Sequence, residues 1–191
     1  MIVLTVIVGS LIGYTYYADA QEERAQLLLA EAERYYTNGD YQSALNGSDA
    51  DFTLGMIQIA DNFSGTDAGN LATYYASVSY FKLGQYEDAL AYIKNYDNPK
   101  GILGVGSLSY YATLLNQLER FEEAAEKFEK AAEWDLNENT TPYNLYKAAE
   151  AWEKAGNIDN AAELVDRVIE NYPDFEQLND VQRLKGQLAF K

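Results

Sequence analysis

A short pattern that occurs four times constrains the fold of this chain more than any other feature. Each copy has a turn residue, a large aromatic or aliphatic residue two positions later, and alanine three positions after that. The large residues are Tyr41, Tyr86, Phe121 and Ile158, and successive copies are 45, 35 and 37 residues apart. Copies at such a period predict helical hairpins that stack on one another, with a generic helical bundle as the alternative.

The third copy, LERFEEAAEKFEKAA from Leu118 to Ala132, shows most clearly why stacking is expected. Its apolar residues recur at helical spacing, while Glu and Lys occupy the other side of the helix. Ala124 and Ala131 leave room for a neighbouring helix to come close, and Phe128 fills the space between them. A helix that stacks among copies of itself needs this arrangement, whereas a lone amphipathic helix does not.

These copies resemble the tetratricopeptide repeat (TPR) family, whose unit is a helix–turn–helix of about 34 residues. The resemblance covers roughly residues 25–173. The family has a small residue in the middle of the first helix and a large residue three positions later. The corresponding pairs here are Ala32 and Tyr35, Ser77 and Tyr80, Ala112 and Leu115, and Ala149 and Trp152. The chain departs from the family at Glu119, which replaces a turn glycine, and at Tyr96, which replaces a small residue.

The resemblance implies an all-α fold, namely a right-handed TPR-like α-solenoid of about four helical hairpins. A C-terminal helix should cover the last hairpin, because the end of a solenoid would otherwise expose an apolar face. The apolar residues of this capping helix are Leu178, Val181, Leu184 and Leu188. We expect one TPR-like domain over residues 21–191. Its first repeat is long because the turn-rich Asn46–Asp49 interrupts the second helix, and we predict an inserted helix near 50–62.

The N-terminal segment has a different character, because no residue from Ile2 to Tyr17 is charged. Sixteen helical residues span about 24 Å, slightly less than a hydrocarbon core of about 30 Å. Tyr14, Tyr16 and Tyr17 lie at one end, where aromatic residues often meet the membrane surface. We predict that residues 1–20 form a transmembrane anchor. The alternative is a signal peptide cleaved after Ala20.

Composition excludes several classes of function. The net charge of −16 argues against nucleic-acid binding, which requires a basic surface. The chain has no His and no Cys, so imidazole bases, thiol nucleophiles and the usual zinc ligands are missing. Carboxylate chemistry remains as the alternative, but the carboxylate-rich face of Glu122, Glu123, Glu126 and Glu129 is typical of a solvated helix surface. We expect no enzyme activity, no cofactor and no metal, and we expect the partners to be proteins.

A more specific resemblance rests on three short stretches: Ala44-Leu45-Asn46-Gly47, Ala68-Gly69-Asn70-Leu71-Ala72 and Thr141-Pro142-Tyr143. Together with the apolar N-terminus and the acidic repeats, they are similar to the YfgM-like bitopic proteins of the bacterial envelope. The resemblance implies a single-pass protein of the bacterial inner membrane with its repeats in the periplasm. The implied partners are the Sec translocon, exported chains and the chaperones that receive them. The alternative is a non-catalytic TPR adaptor in another envelope complex, for outer-membrane assembly, secretion or peptidoglycan.

The TPR resemblance also assigns the surface that a partner would contact, because the first helices of TPR hairpins line the inside of the array. We expect nine residues to contact a protein partner on this concave face: Leu29, Tyr36, Tyr74, Val78, Phe81, Asn116, Gln117, Tyr143 and Tyr146. The same inner-facing positions also include Glu33, Leu71, Ser109, Thr113, Glu150 and Lys154, with Lys82 beside them. The alternative is that the inserted helix near Phe52–Ile59 covers part of this surface from within the chain.

Overall fold

The structure, a computed structural model, describes residues 2–191. The described residues form ten α-helices and one two-stranded sheet, and they group into two compact units, Met1–Asp97 and Asn98–Lys191. The helical hairpins predicted from the repeats are confirmed, with two hairpins in each unit. The handedness of a solenoid built from them stays a prediction, and so does the domain boundary after residue 20.

The first unit contains two hairpins, and an insertion interrupts the second helix of the first one. Its elements are α1 (Ile2–Thr37), α2 (Tyr41–Asn46), β1 (Gly47–Ser48), β2 (Thr53–Leu54), α3 (Met56–Asn62), α4 (Asp67–Lys82) and α5 (Tyr86–Ile93). The two antiparallel strands pair Gly47 with Leu54 and Ser48 with Thr53. The extra length of the first repeat is therefore a small hairpin followed by the short helix α3, whose Met56 and Ile59 are fully buried.

The second unit contains two regular hairpins and a final helix. Its elements are α6 (Ile102–Gln117), α7 (Phe121–Trp134), α8 (Thr140–Ala155), α9 (Ile158–Asn171) and α10 (Leu178–Leu188). Helix α10 packs against α9 and buries Val181, Leu184 and Leu188. The predicted capping helix is therefore present, and its apolar side is covered by the preceding repeat.

The small residues of the repeat pattern allow the helices of each hairpin to come close. All eight of these residues, two from each repeat, have no exposed surface: Ala32, Ala44, Ser77, Ala89, Ala112, Ala124, Ala149 and Ala161. In the second repeat the Ser77 hydroxyl donates a hydrogen bond to the carbonyl oxygen of Ala89 at 2.8 Å. This bond satisfies the buried hydroxyl of Ser77, whereas the other three repeats have alanine at this position.

The four turns inside the hairpins have the same backbone conformation. Gly39, Gly84 and Gly156 have φ of 79°, 75° and 84°, in the left-handed region. Glu119, which stands at the same position in the third repeat, has φ of 58°. The departure from the repeat pattern is therefore accommodated by placing a side-chain-bearing residue in a conformation that favours glycine.

Helix α1 joins the core of the first unit through residues of its second half. Ala25, Leu29 and Ala32 are buried in that core. By contrast, the large apolar residues from Ile7 to Tyr17 are exposed, from 48% for Val8 to 79% for Tyr16. One continuous helix therefore has exposed apolar residues in its first half and forms the first helix of a repeat in its second half.

The transmembrane anchor predicted over residues 1–20 is not supported. No helix among the described residues is long and apolar enough to cross a membrane. The uncharged part of α1 ends before Asp19, whereas a spanning helix needs about 20 apolar residues in succession. Residue 1 of the predicted anchor lies outside the described residues.

Candidate protein-binding surface

In the first unit, the first helices of the two hairpins, α1 and α4, lie side by side and leave a groove of about 290 Å³. We call it the α1–α4 groove. Its lining consists of apolar and acidic or amide side chains, with no Lys or Arg among them: Glu22, Gln26, Leu29, Ala30, Glu33, Asp67, Ala68 and Leu71. Three inner-facing positions assigned from the sequence, Leu29, Glu33 and Leu71, therefore meet at one place.

One end of the α1–α4 groove is fixed by Glu22 of α1. Its carboxylate accepts hydrogen bonds from the backbone N–H groups of Asp67, at 2.7 Å, and Ala68, at 3.2 Å. These N–H groups belong to the first turn of α4, so they have no hydrogen-bond partner within the helix. The helix dipole also favours a negative charge at this end. A second acceptor for this turn is the Thr66 hydroxyl, which receives the Gly69 N–H at 2.9 Å. Glu22 thereby fixes the distance between the two groove walls.

Beyond the other end of the groove lies a tyrosine cluster, which we define as Tyr36, Tyr41, Tyr74, Tyr75 and Tyr96. The Tyr36 ring meets the rings of Tyr41 and Tyr75 edge to face, at centroid distances of 5.6 and 4.8 Å. Tyr74 contacts Tyr75 at 6.3 Å and Tyr96 at 5.2 Å. Aromatic pairs at these distances are favourable beyond the area they bury, so the cluster forms a connected surface of half-buried rings.

Tyr75 connects the tyrosine cluster to the groove. Burial raises the pKa of Tyr75 to about 12, and the charge of Glu33 and the hydrogen bond between the two side chains act in the same direction. Burial also raises the pKa of Tyr74, with a contribution from Tyr96. The Tyr75 hydroxyl therefore stays protonated at neutral pH, and Tyr75 connects the tyrosine cluster to Glu33 at the groove wall.

The other predicted residues of the first unit take different positions. Leu29 and Val78 are buried, at 4% and 8% exposure, so they have little surface to offer a partner. Phe81 is half-buried and its ring lies 5.3 Å from that of Tyr86. The inserted helix α3 contributes Met56 and Ile59 to the core of this unit. Tyr74 contacts the rings of Tyr75 and Tyr96.

In the second unit, Tyr143 and Tyr146 lie on α8 together with Lys147 and Glu150. The Lys147 ammonium lies 5.8 Å from the Tyr143 ring and 5.1 Å from the Tyr146 ring, and it pairs with Glu150 at 2.7 Å. Tyr146 is buried, and its pKa is raised to about 12 by burial and by its hydrogen bond to Glu150. Tyr143 is 39% exposed, so it is the ring of this pair that a partner can reach.

Asn116 and Gln117 end helix α6 of the same unit. Gln117 is exposed, whereas the side-chain oxygen of Asn116 is buried and has no hydrogen-bond partner among the described residues. A buried acceptor left unsatisfied costs roughly 1–3 kcal/mol. Elsewhere on this helix, the Ser109 hydroxyl is already engaged, because it donates to the Asn144 carboxamide oxygen at 2.6 Å.

Three residues that shape this surface were missed in the sequence: Glu22, Tyr75 and Tyr96. Tyr75 could have been recognised, because it follows Tyr74 in a tyrosine doublet. Tyr96 could also have been recognised, since it replaces a small residue of the TPR pattern, and its ring packs on Tyr74. No sequence pattern identifies Glu22, because its partners, Asp67 and Ala68, are 45 and 46 residues away in the chain.

The acidic side chains do not assemble into a metal site in the part of the chain that the structure describes. Across residues 2–191 no group of three or more His, Cys, Asp or Glu residues is arranged to hold a metal ion. The acidic residues described above are spread along a groove and take part in hydrogen bonds to backbone and tyrosine groups.

Comparisons with known proteins agree with the repeat fold. Residues 143–174, which include most of the α8–α9 hairpin, match the tetratricopeptide repeat family. The structure is similar to that of the kinesin light chain nearly identical TPR-like repeats of Podosopora anserina, with a TM-score of 0.62 and 15% sequence identity, covering 88% of this chain and 87% of that chain. A substituted form of that protein gives a TM-score of 0.61 at 15% identity, covering 88% and 86%. No curated protein matches the sequence. The chain therefore has a TPR-like fold, and its fourth repeat matches the family by sequence as well.

Proposed function

We propose that this protein is a non-catalytic interaction scaffold that binds a segment of another polypeptide along the first helices of its hairpins. The observation that carries the proposal is the α1–α4 groove, where Leu29, Glu33 and Leu71 meet at positions that line the binding surface in TPR proteins. Two rings of the half-buried tyrosine cluster, Tyr36 and Tyr74, lie at predicted positions of the same kind. Aromatic side chains of this type are enriched where proteins bind one another.

The finer part of the proposal concerns location and partner. We propose that the protein acts in the bacterial periplasm beside the Sec translocon, and passes exported chains to chaperones. The support for this part is the similarity of three short stretches to YfgM-like proteins. A TPR adaptor of another envelope complex has the same surface and differs only in its partner.

Site-specific crosslinking tests both parts. A photoreactive amino acid is placed in the full chain at three exposed inner-facing positions, Leu71, Gln117 and Tyr143. The matched outward controls are Leu27, Glu87 and Glu163, which are also exposed. We expect the inner positions to give shared crosslinked products in source cells and the outer positions to give none of them.

The crosslinked products are identified by mass spectrometry. Sec subunits or exported chains among the inner-position products support the finer proposal, and subunits of another envelope complex support the alternative. Products that are the same at inner and outer positions would contradict the scaffold function itself.

A further inference from the structure

The chemistry of the α1–α4 groove specifies what enters it, and this inference rests on the proposed function. We propose that the groove binds an apolar side chain of the partner that is flanked by Lys or Arg residues. The occupant is thus a basic, amphipathic polypeptide segment rather than an acidic or purely apolar one.

The shape of the groove suits an apolar side chain. Leu29 and Ala68 line the groove as buried residues, each at 4% exposure, and Ala30 lines it as an exposed one. Leu71 is 37% exposed, so it forms an apolar wall that water still reaches. Covering this wall with an aliphatic side chain of the partner removes apolar surface from water on both molecules, which favours binding.

Every ionisable side chain that lines the groove is acidic. Glu22, Glu33 and Asp67 line it. Glu22 is engaged by the first turn of α4, so its charge is largely balanced by backbone N–H groups. Glu33 and Asp67 therefore supply the negative potential that a partner meets, and no lining Lys or Arg neutralises them. The net charge of −16 means that the chain as a whole also attracts basic partners.

Tyr75 constrains Glu33 before a ligand arrives. The Tyr75 side chain interacts with Glu33, and its ring packs on Tyr36 and Tyr74 within the tyrosine cluster. A carboxylate that is already oriented loses less conformational freedom when it pairs with a cation of the partner. Such pre-organisation distinguishes Glu33 from the exposed carboxylates of the outer helix surfaces.

The probe is a fluorescein-labelled peptide of about twelve residues in which a central Leu is flanked by Lys on both sides. Two matched peptides replace the flanking Lys residues by Glu, or the central Leu by Ser. Fluorescence anisotropy with the full chain reports the affinities. We expect the Lys-flanked Leu peptide to bind at least about tenfold more tightly than either matched peptide.

Variants of the protein locate the binding site. Leu71→Ala should weaken binding of the Lys-flanked Leu peptide about tenfold, while Leu71→Met should restore it, because Met keeps the apolar wall. Glu33→Gln should weaken binding about fivefold, since the amide oxygen still accepts from Tyr75 but the charge is lost. The matched controls are Leu27→Ala and Glu31→Gln on exposed parts of α1, and both should bind like the parent chain. Circular dichroism melting confirms that each variant is folded.

Three results would overturn the inference: equal binding of the three peptides, equal binding by Leu71→Ala and the parent chain, or no binding up to about 1 mM peptide. Any of them would leave the scaffold function standing if the crosslinks still distinguish inner from outer positions. Crosslinks that fail to distinguish them would count against the scaffold function, whatever the peptides show.

Discussion

The carboxylate of Glu22 accepts a hydrogen bond at 2.7 Å from the backbone N–H of Asp67, at the start of helix α4. A side chain of the first repeat thus caps the first helix of the second repeat. The charge of Glu22 also lies where the dipole of α4 favours an anion. This relationship links the packing of the first two repeats to the shape of the α1–α4 groove.

Glu22→Gln should therefore destabilise the protein, because the amide keeps the size of the side chain but removes its charge. We expect a loss of about 1 kcal/mol in the free energy of unfolding, measured in urea. The control is Glu23→Gln, since Glu23 is exposed on the same helix and should lose less than half of that. Equal effects of the two substitutions would show that the cap contributes nothing specific.

Glu119→Gly should stabilise the protein by about 1 kcal/mol, because a left-handed φ costs energy for a residue with a Cβ atom and costs glycine nothing. The φ of Glu119 is 58°. Glu119→Ala serves as the control, because alanine keeps the Cβ atom and should bring little gain. Thermal unfolding of the three proteins measures the difference. A glycine variant that melts no higher than the alanine variant would contradict the prediction.

Two glycines two residues apart in α6 should respond to alanine in opposite directions. A Cβ atom at Gly104 would lie less than 3.0 Å from the carbonyl oxygen of Pro99 and from the indole nitrogen of Trp134. These two atoms are joined by a hydrogen bond of 3.0 Å, which Gly104→Ala would disturb. At Gly106 an added Cβ atom would meet nothing within 4 Å.

We therefore expect Gly104→Ala to lower the free energy of unfolding by about 2 kcal/mol and Gly106→Ala to raise it by up to about 1 kcal/mol. Urea unfolding of both variants gives the comparison. If the two variants had the same stability, α6 would not be closely packed on the Pro99 segment.

Tyr75 is one of the buried tyrosines that should make the stability of the protein fall at high pH. The pKa of Tyr75 is about 12 in the folded state and about 10 in an unfolded chain, so the folded protein holds this proton more tightly. The resulting stabilisation is fully present below about pH 10 and is lost as the pH rises to about 12.

The variant Tyr75→Phe has no such proton. Its free energy of unfolding should fall less than that of the parent between about pH 9 and about pH 11.5, as measured in urea. Tyr16→Phe is the control, because Tyr16 is 79% exposed, and it should behave like the parent chain. A decrease in Tyr75→Phe as steep as that of the parent would count against the buried hydroxyl as its cause.

The repeat pattern determined the secondary structure and the cores of the hairpins. Small residues such as Ala112 and Ala149 must be buried wherever two helices come close, so their spacing predicted both the helices and their inner sides. The left-handed turns also followed from the sequence, through Gly39, Gly84 and Gly156. Local patterns are informative here because each hairpin repeats the same short-range geometry.

The transmembrane anchor shows where a local pattern was insufficient. The uncharged run from Ile2 predicted a spanning segment, but it lies at the start of one helix that continues through charged residues to Thr37. Uncharged composition over about sixteen residues cannot distinguish the end of a long helix from a complete membrane span.

The α1–α4 groove itself was decided only by tertiary structure. Leu29 and Leu71 could be assigned to an inner face from the repeat, but the cap from Glu22 to Asp67 joins residues 45 positions apart in the chain. The ring contact between Tyr74 and Tyr96 likewise depends on how the end of the second repeat folds back on α4. Contacts of this length follow from the packing of whole helices, so no spacing within the sequence encodes them.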